Sequence, residues 1–138
     1  MRALPVLLCW LFLLSCSKDV FKRYEKRILG SWHITDVKRI GIGGDSKELP
    51  FQNGTFNFSE DGSLTYTNLA GNTFSGSWDI VKKTIGEQVT QSLHVTAIDF
   101  NSQLVKTEYY EDLTFTGTDH FKANIFSTTH TYVTHFRR

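Results

Sequence analysis

The chain has 138 residues, 15 Lys and Arg against 14 Asp and Glu, two Cys and 40% hydrophobic residues, which is room for one domain. Its near-zero net charge argues against a nucleic-acid binder, which carries a basic face and a high pI. The 14% of aromatic residues excludes disorder, because that much apolar surface offsets the entropy of ordering. Sixteen Thr and eleven Phe beside a single Met tilt the composition towards β-structure.

Met1-Arg2 is a short positive start, and Ala3 to Leu14 is an apolar run broken only by Pro5. A spanning helix needs about 20 apolar residues, so residues 1–15 read as a signal peptide. Leu13-Leu14-Ser15-Cys16, followed by Ser17-Lys18-Asp19, resembles the lipobox of bacterial lipoproteins. That resemblance implies cleavage before Cys16, acylation of its thiol, and a lipid bilayer as partner. Ser17, rather than Asp, after the Cys implies sorting to the outer membrane. The alternative is ordinary cleavage near Ser15 with Cys16 a leftover thiol. With Cys9 removed and Cys16 acylated, no thiol remains to staple the fold or bind a metal.

Residues 16–30 then read as a lipidated tether and a short helix. Val20, Tyr24 and Ile28 recur at helical spacing over 18–29, and Gly30 stands where a stop is expected. Lys22, Arg23, Lys26 and Arg27 offer a patch for anionic lipid. Asp19 and Glu25 dilute that charge and favour a solvated helix face.

From Ser31 the period changes to two. Trp32 and Ile34 open the first strand, and Phe56 and Phe58 carry the next. Leu64 and Tyr66 follow the Glu60-Asp61-Gly62 turn, and Phe74, Gly76, Trp78 and Ile80 follow Ala70-Gly71-Asn72. Leu93, Val95 and Ala97 precede a run from Leu104 to Tyr110, then Leu113 and Phe115. Phe121, Ala123 and Ile125 lead to Tyr132, Thr134 and Phe136. Short alternating strands with Gly, Asn and Asp turns predict an all-β domain over 31–138. Without a crossover helix the sheet is antiparallel. Its expected form is an eight-stranded up-and-down meander closed into a barrel, because closure removes exposed edges.

The short helix, Gly30-Ser31-Trp32, Phe56-x-Phe58 before Asp61-Gly62, and Gly76-x-Trp78 resemble the small lipocalin-like lipoproteins of Bacteroidetes. The resemblance spans residues 20–138 and implies a barrel of lipocalin type. It also implies that Arg137 or Arg138, near the final strand, packs over Trp32 and closes one end. The first loop, roughly Gly41 to Asn53, becomes the candidate lid over the barrel mouth, its alternative being a mobile connector.

No catalytic set emerges, and no enzyme, metal or cofactor is expected. His33, His94, His120, His130 and His135 lack paired ligand spacing and read as surface strand residues. Glu108, Glu111 and Asp112 sit beside Tyr109-Tyr110 at an expected hairpin, where solvated charge outweighs an acid/base pair. Gly41-Ile42-Gly43-Gly44-Asp45 lacks the phosphate-loop spacing and a following helix. Phe56, Phe58, Tyr66, Phe74, Trp78, Phe115, Phe121 and Phe136 alternate as an inward set. They line a pocket for a small apolar ligand, with Gly76 leaving room beside Trp78, or they fill the barrel themselves. The first outcome makes the protein a membrane-anchored binder of a small hydrophobic molecule. The second makes it a filled-barrel adhesion or assembly module.

Overall fold

The structure is a computed structural model that describes residues 23–44 and 48–138. The expected signal peptide, Cys16 and the first part of the expected helix lie outside the described residues. What is described of that helix is α1, Tyr24–Ile28. It ends where Leu29 turns to extended backbone at φ −54°, ψ 144°, and Gly30, at φ 98°, begins the sheet.

Eight strands follow: β1 Gly30–Gly41, β2 Gly54–Phe58, β3 Ser63–Asn68, β4 Thr73–Ile85, β5 Gln88–Asp99, β6 Leu104–Phe115, β7 His120–Phe126 and β8 His130–Arg137. Each pairs antiparallel with the next, and β8 pairs back onto β1 from His33↔Arg137 to Gly41↔His130. The protein is therefore a closed up-and-down barrel. Alternation explains the register. Phe56 and Phe58 on β2 and Leu64 and Tyr66 on β3 are buried, while Thr55, Asn57, Ser63 and Thr65 between them face solvent. A slip of one residue would reverse every one of these side chains.

The sequence break at Glu111-Asp112 is not a hairpin. β6 runs unbroken through it, with a register shift between Glu111 and Thr114 and Asp112 at φ 51°. One extra residue is accommodated as a bulge, so Leu113 still points into the core. The same continuity places Glu108 in mid-strand facing inward, only 5% exposed, and overturns the expectation that it is solvated charge.

One end of the barrel is closed by Trp32, which is fully buried. Its Nε1–H donates to Ile28 O at 2.6 Å, and α1 is thereby tied across the barrel end. Arg138 lies over the indole, 4.6 Å from its centroid, and donates to Arg27 O at 2.8 Å and Leu29 O at 2.7 Å. Arg137 is exposed at the end of β8 and takes no part in this closure. Phe115 belongs here too. It is half-buried, in edge contact with Tyr24 and Trp32, and Arg27 stacks 4.0 Å above its ring. Arg27 is thus drawn onto the barrel, while Arg23 and Lys26 remain exposed.

Candidate functional site

The mouth, at the opposite end, is shaped by the loop between β1 and β2. Its first part is braced by Arg39, whose guanidinium donates to Gly43 O and to Gly44 O. The glycine run therefore turns its carbonyls to a cation of this chain. It does not present the amides of a phosphate cradle. Gly41, at φ 129°, passes so near β8 that a Cβ there would lie 2.8 Å from Thr129 O.

The second part of the loop folds into the barrel. Leu49 and Phe51 are buried, and the Phe51 ring sits 5.2 Å from Phe56 and 4.8 Å from Tyr66. Two polar contacts latch it. Tyr66 Oη–H donates to Asn53 O at 2.5 Å, and Lys106 Nζ donates to Pro50 O at 2.7 Å. The Lys106 ammonium also lies 5.4 Å from the Phe74 ring. The candidate lid thus holds its apolar residues in the core, in the manner of a stopper.

The eight candidate ligand-lining residues are linked by ring contacts. Excepting Phe115 at the closed end, they are buried inside the barrel and touch one another. Rings run along the barrel from Phe51 to Phe56, then to Phe136 at 6.0 Å, Phe121 at 4.2 Å and Trp32 at 4.7 Å. Tyr66 lies 5.8 Å from Phe74, and Phe58 lies 5.4 Å from Trp78. Trp78 Nε1–H donates to Ser59 O at 3.0 Å, which directs the indole to the β2–β3 turn.

Gly76 leaves no room beside it. A Cβ built there would meet Thr96 O at 1.8 Å and Ala97 Cα at 2.7 Å. The missing side chain lets the backbones of β4 and β5 come together, and the expected ligand gap is a backbone contact.

Three polar side chains share the interior with these rings. Glu108, Tyr110 and Thr134 are all buried. Glu108 Oε1 accepts the Tyr109 N–H at 3.1 Å. The hydroxyls of Tyr110 and Thr134 have no hydrogen-bond partner among the described residues. Burial first, then the nearby Glu108 and Tyr66, pushes the Tyr110 phenol well above its usual value. His130 is likewise buried, against the expectation of a surface residue. Its Nε2 pairs with Tyr132 Oη and its Nδ1 with Thr129 Oγ1, both at 2.9 Å. This histidine fills a structural role at the start of β8.

The remaining histidines lie outward. His120 Nδ1 is 2.7 Å from Asp119 Oδ1, a hydrogen bond that holds the Asp119 carboxyl below its ordinary value. Among the described residues no group of three or more His, Cys, Asp or Glu side chains converges as a metal site would require.

A cleft of about 380 Å³ opens beside the lid, lined by Ile34, Val37, Leu49, Gln52, Asn53 and Tyr132 among others. Around the mouth rim, Ile42, Leu69 and Phe100 stand exposed on three separate turns. No helix among the described residues is long and apolar enough to cross a membrane.

No family model, curated protein or solved structure matches this chain.

Proposed function

We propose that this protein is a lipocalin-like lipoprotein, held at the outer membrane through acylated Cys16, and that it works by its outer surface as a non-enzymatic adhesion or assembly module. The single observation that carries this reading is the unbroken series of ring contacts from Phe51 of the lid to Trp32 at the closed end. Interiors at native density leave few voids larger than a water molecule, so a ligand along that axis must first expel aromatic side chains. Apolar side chains at the mouth rim, Ile42, Leu69 and Phe100, supply contact area for a partner on the end away from the tether.

A second reading, a small apolar ligand, is favoured by the cleft of about 380 Å³ beside the lid, a volume within the range of ligand sites. Titrating an apolar dye and fatty acids into the protein separates the two. The surface-module reading predicts no saturable signal. Saturable binding that is lost on Leu49→Asp, with the fold intact, establishes the ligand reading instead.

A further inference from the structure

β4 and β5 do not end with the barrel. β3 pairs with β4 only between Thr73 and Ser77, and β6 pairs with β5 only from Leu93 onward. The ladder between β4 and β5 nevertheless continues through Val81↔Ser92, Lys82↔Gln91, Lys83↔Thr90, Thr84↔Val89 and Ile85↔Gln88. Among the described residues no strand pairs with these rows on either side, so they form a two-stranded ribbon, and Asp112, Leu113 and Thr114 of β6 face it across a cleft. At about 3.3 Å per row the arm is about 16 Å long. A two-stranded ribbon is marginal in water by itself, and this one is also apolar at its tip. Ile85 is 60% exposed and Val89 51% exposed, on opposite faces, with exposed Lys82 and Lys83 just behind them. Apolar groups on both faces of a tip suit insertion into a fluid apolar phase better than docking on one rigid surface.

The position of the arm says which phase. α1 stands beside it, and Tyr24 lines a cleft of about 460 Å³ together with Gln88, Val89, Thr90 and Gln91. The described chain therefore begins next to the ribbon. Seven peptide units separate Arg23 from Cys16, and they span at most about 25 Å. Resting on the acylation of Cys16 proposed above, this length holds the barrel end that bears the arm against the bilayer. Arg23 and Lys26, exposed on α1, add positive charge on the same side, and lysines near an anionic leaflet are attracted to it.

We propose that the β4–β5 ribbon is a second membrane contact, with Ile85 and Val89 entering the bilayer that holds the lipid anchor and Lys82 and Lys83 meeting anionic headgroups. The arm then fixes the orientation of the barrel, with its mouth turned away from the membrane.

The mature lipoprotein carries no free thiol, so Ile85→Cys and Leu69→Cys each accept a single environment-sensitive fluorophore. Leu69 is exposed at the mouth and serves as the control. Both proteins are reconstituted into phosphatidylethanolamine–phosphatidylglycerol vesicles and floated. The expected result is blue-shifted emission at position 85, quenched by spin-labelled lipid, with water-like emission at position 69. Adding Lys82→Glu and Lys83→Glu weakens the quenching at position 85. Water-like emission at position 85 in floated vesicles overturns the ribbon contact and leaves the anchor standing. Equal blue shifts at both positions show unspecific adsorption and overturn it as well. Failure to float removes the acyl anchor, and with it the placement on which this contact rests.

Discussion

Replacing Trp32 by alanine removes the residue on which the closed end converges. The indole is fully buried, meets Phe121 edge-on at 4.7 Å and Phe115 at 6.1 Å, and donates to Ile28 O. Loss of a buried Trp side chain costs about 3–5 kcal/mol through transfer and cavity terms. The Arg138 guanidinium above the ring contributes a further ~0.5–2 kcal/mol. At about 4 °C per kcal/mol for a domain near this size, the combined loss of about 3.5–7 kcal/mol lowers the melting temperature by about 14–28 °C. Urea denaturation of the Cys16→Ser protein, followed through Trp78 emission, measures the same loss. Arg138 also holds two carbonyls of the α1 connection, so a double-mutant cycle with Arg138→Ala isolates its interaction with the ring. A Trp32→Ala protein that melts within about 4 °C of wild type refutes the closed-end packing.

Gly76→Ala drives a Cβ into Thr96 O and is expected to destabilise by at least about 3 kcal/mol, the upper range for overpacking; wild-type stability in urea would return Gly76 to the role of ligand gap. Tyr110→Phe removes a buried hydroxyl without a partner among the described residues and is expected to gain about 1 kcal/mol, whereas a comparable loss on denaturation would reveal a hydrogen bond. The raised phenol pKa sets the sign of the pH effect: the contribution of Tyr110 is complete below the ordinary tyrosine value and is lost as pH rises above it, because only the unfolded chain ionises there. Alkaline unfolding is therefore weaker in Tyr110→Phe, and identical alkaline curves contradict this. Cys16→Ser is expected to abolish palmitate labelling and release the protein from membranes; equal labelling in both proteins ends the anchor proposal.

The barrel was legible because its signals are local. Gly30-Ser31-Trp32, the Phe56-x-Phe58 alternation and the Asp61-Gly62 turn each act over a few residues, and strands of one polarity pattern joined by tight turns have little choice but to pair in order. The candidate site was legible only in part. In the run from Leu104 to Tyr110 both parities carry apolar residues, Leu104 and Tyr110 on one and Val105 and Tyr109 on the other, so the inward direction of Glu108 had no sequence signal. The bulge at Asp112 looks in sequence like a turn, because both take a polar residue with positive φ. Gly76 is ambiguous alone, and only the proximity of Thr96 and Ala97 across the ladder distinguishes close strands from empty space. Phe51 lies in an aperiodic loop, where its neighbour Pro50 argues for a connector and nothing local indicates insertion into the barrel. Sequence alone leaves both terminal arginines open as the partner of Trp32, and strand alternation assigns them: Arg137 continues β8 outward, leaving Arg138 to fold over the end.

Native mass spectrometry of the protein taken from its own host membrane tests the filled barrel most directly. The predicted mass is that of the acylated chain from Cys16 to Arg138 with no further mass retained. A bound apolar molecule that stays with the folded protein, and leaves when Phe51→Ala opens the lid, would contradict the filled interior and restore ligand binding as the function.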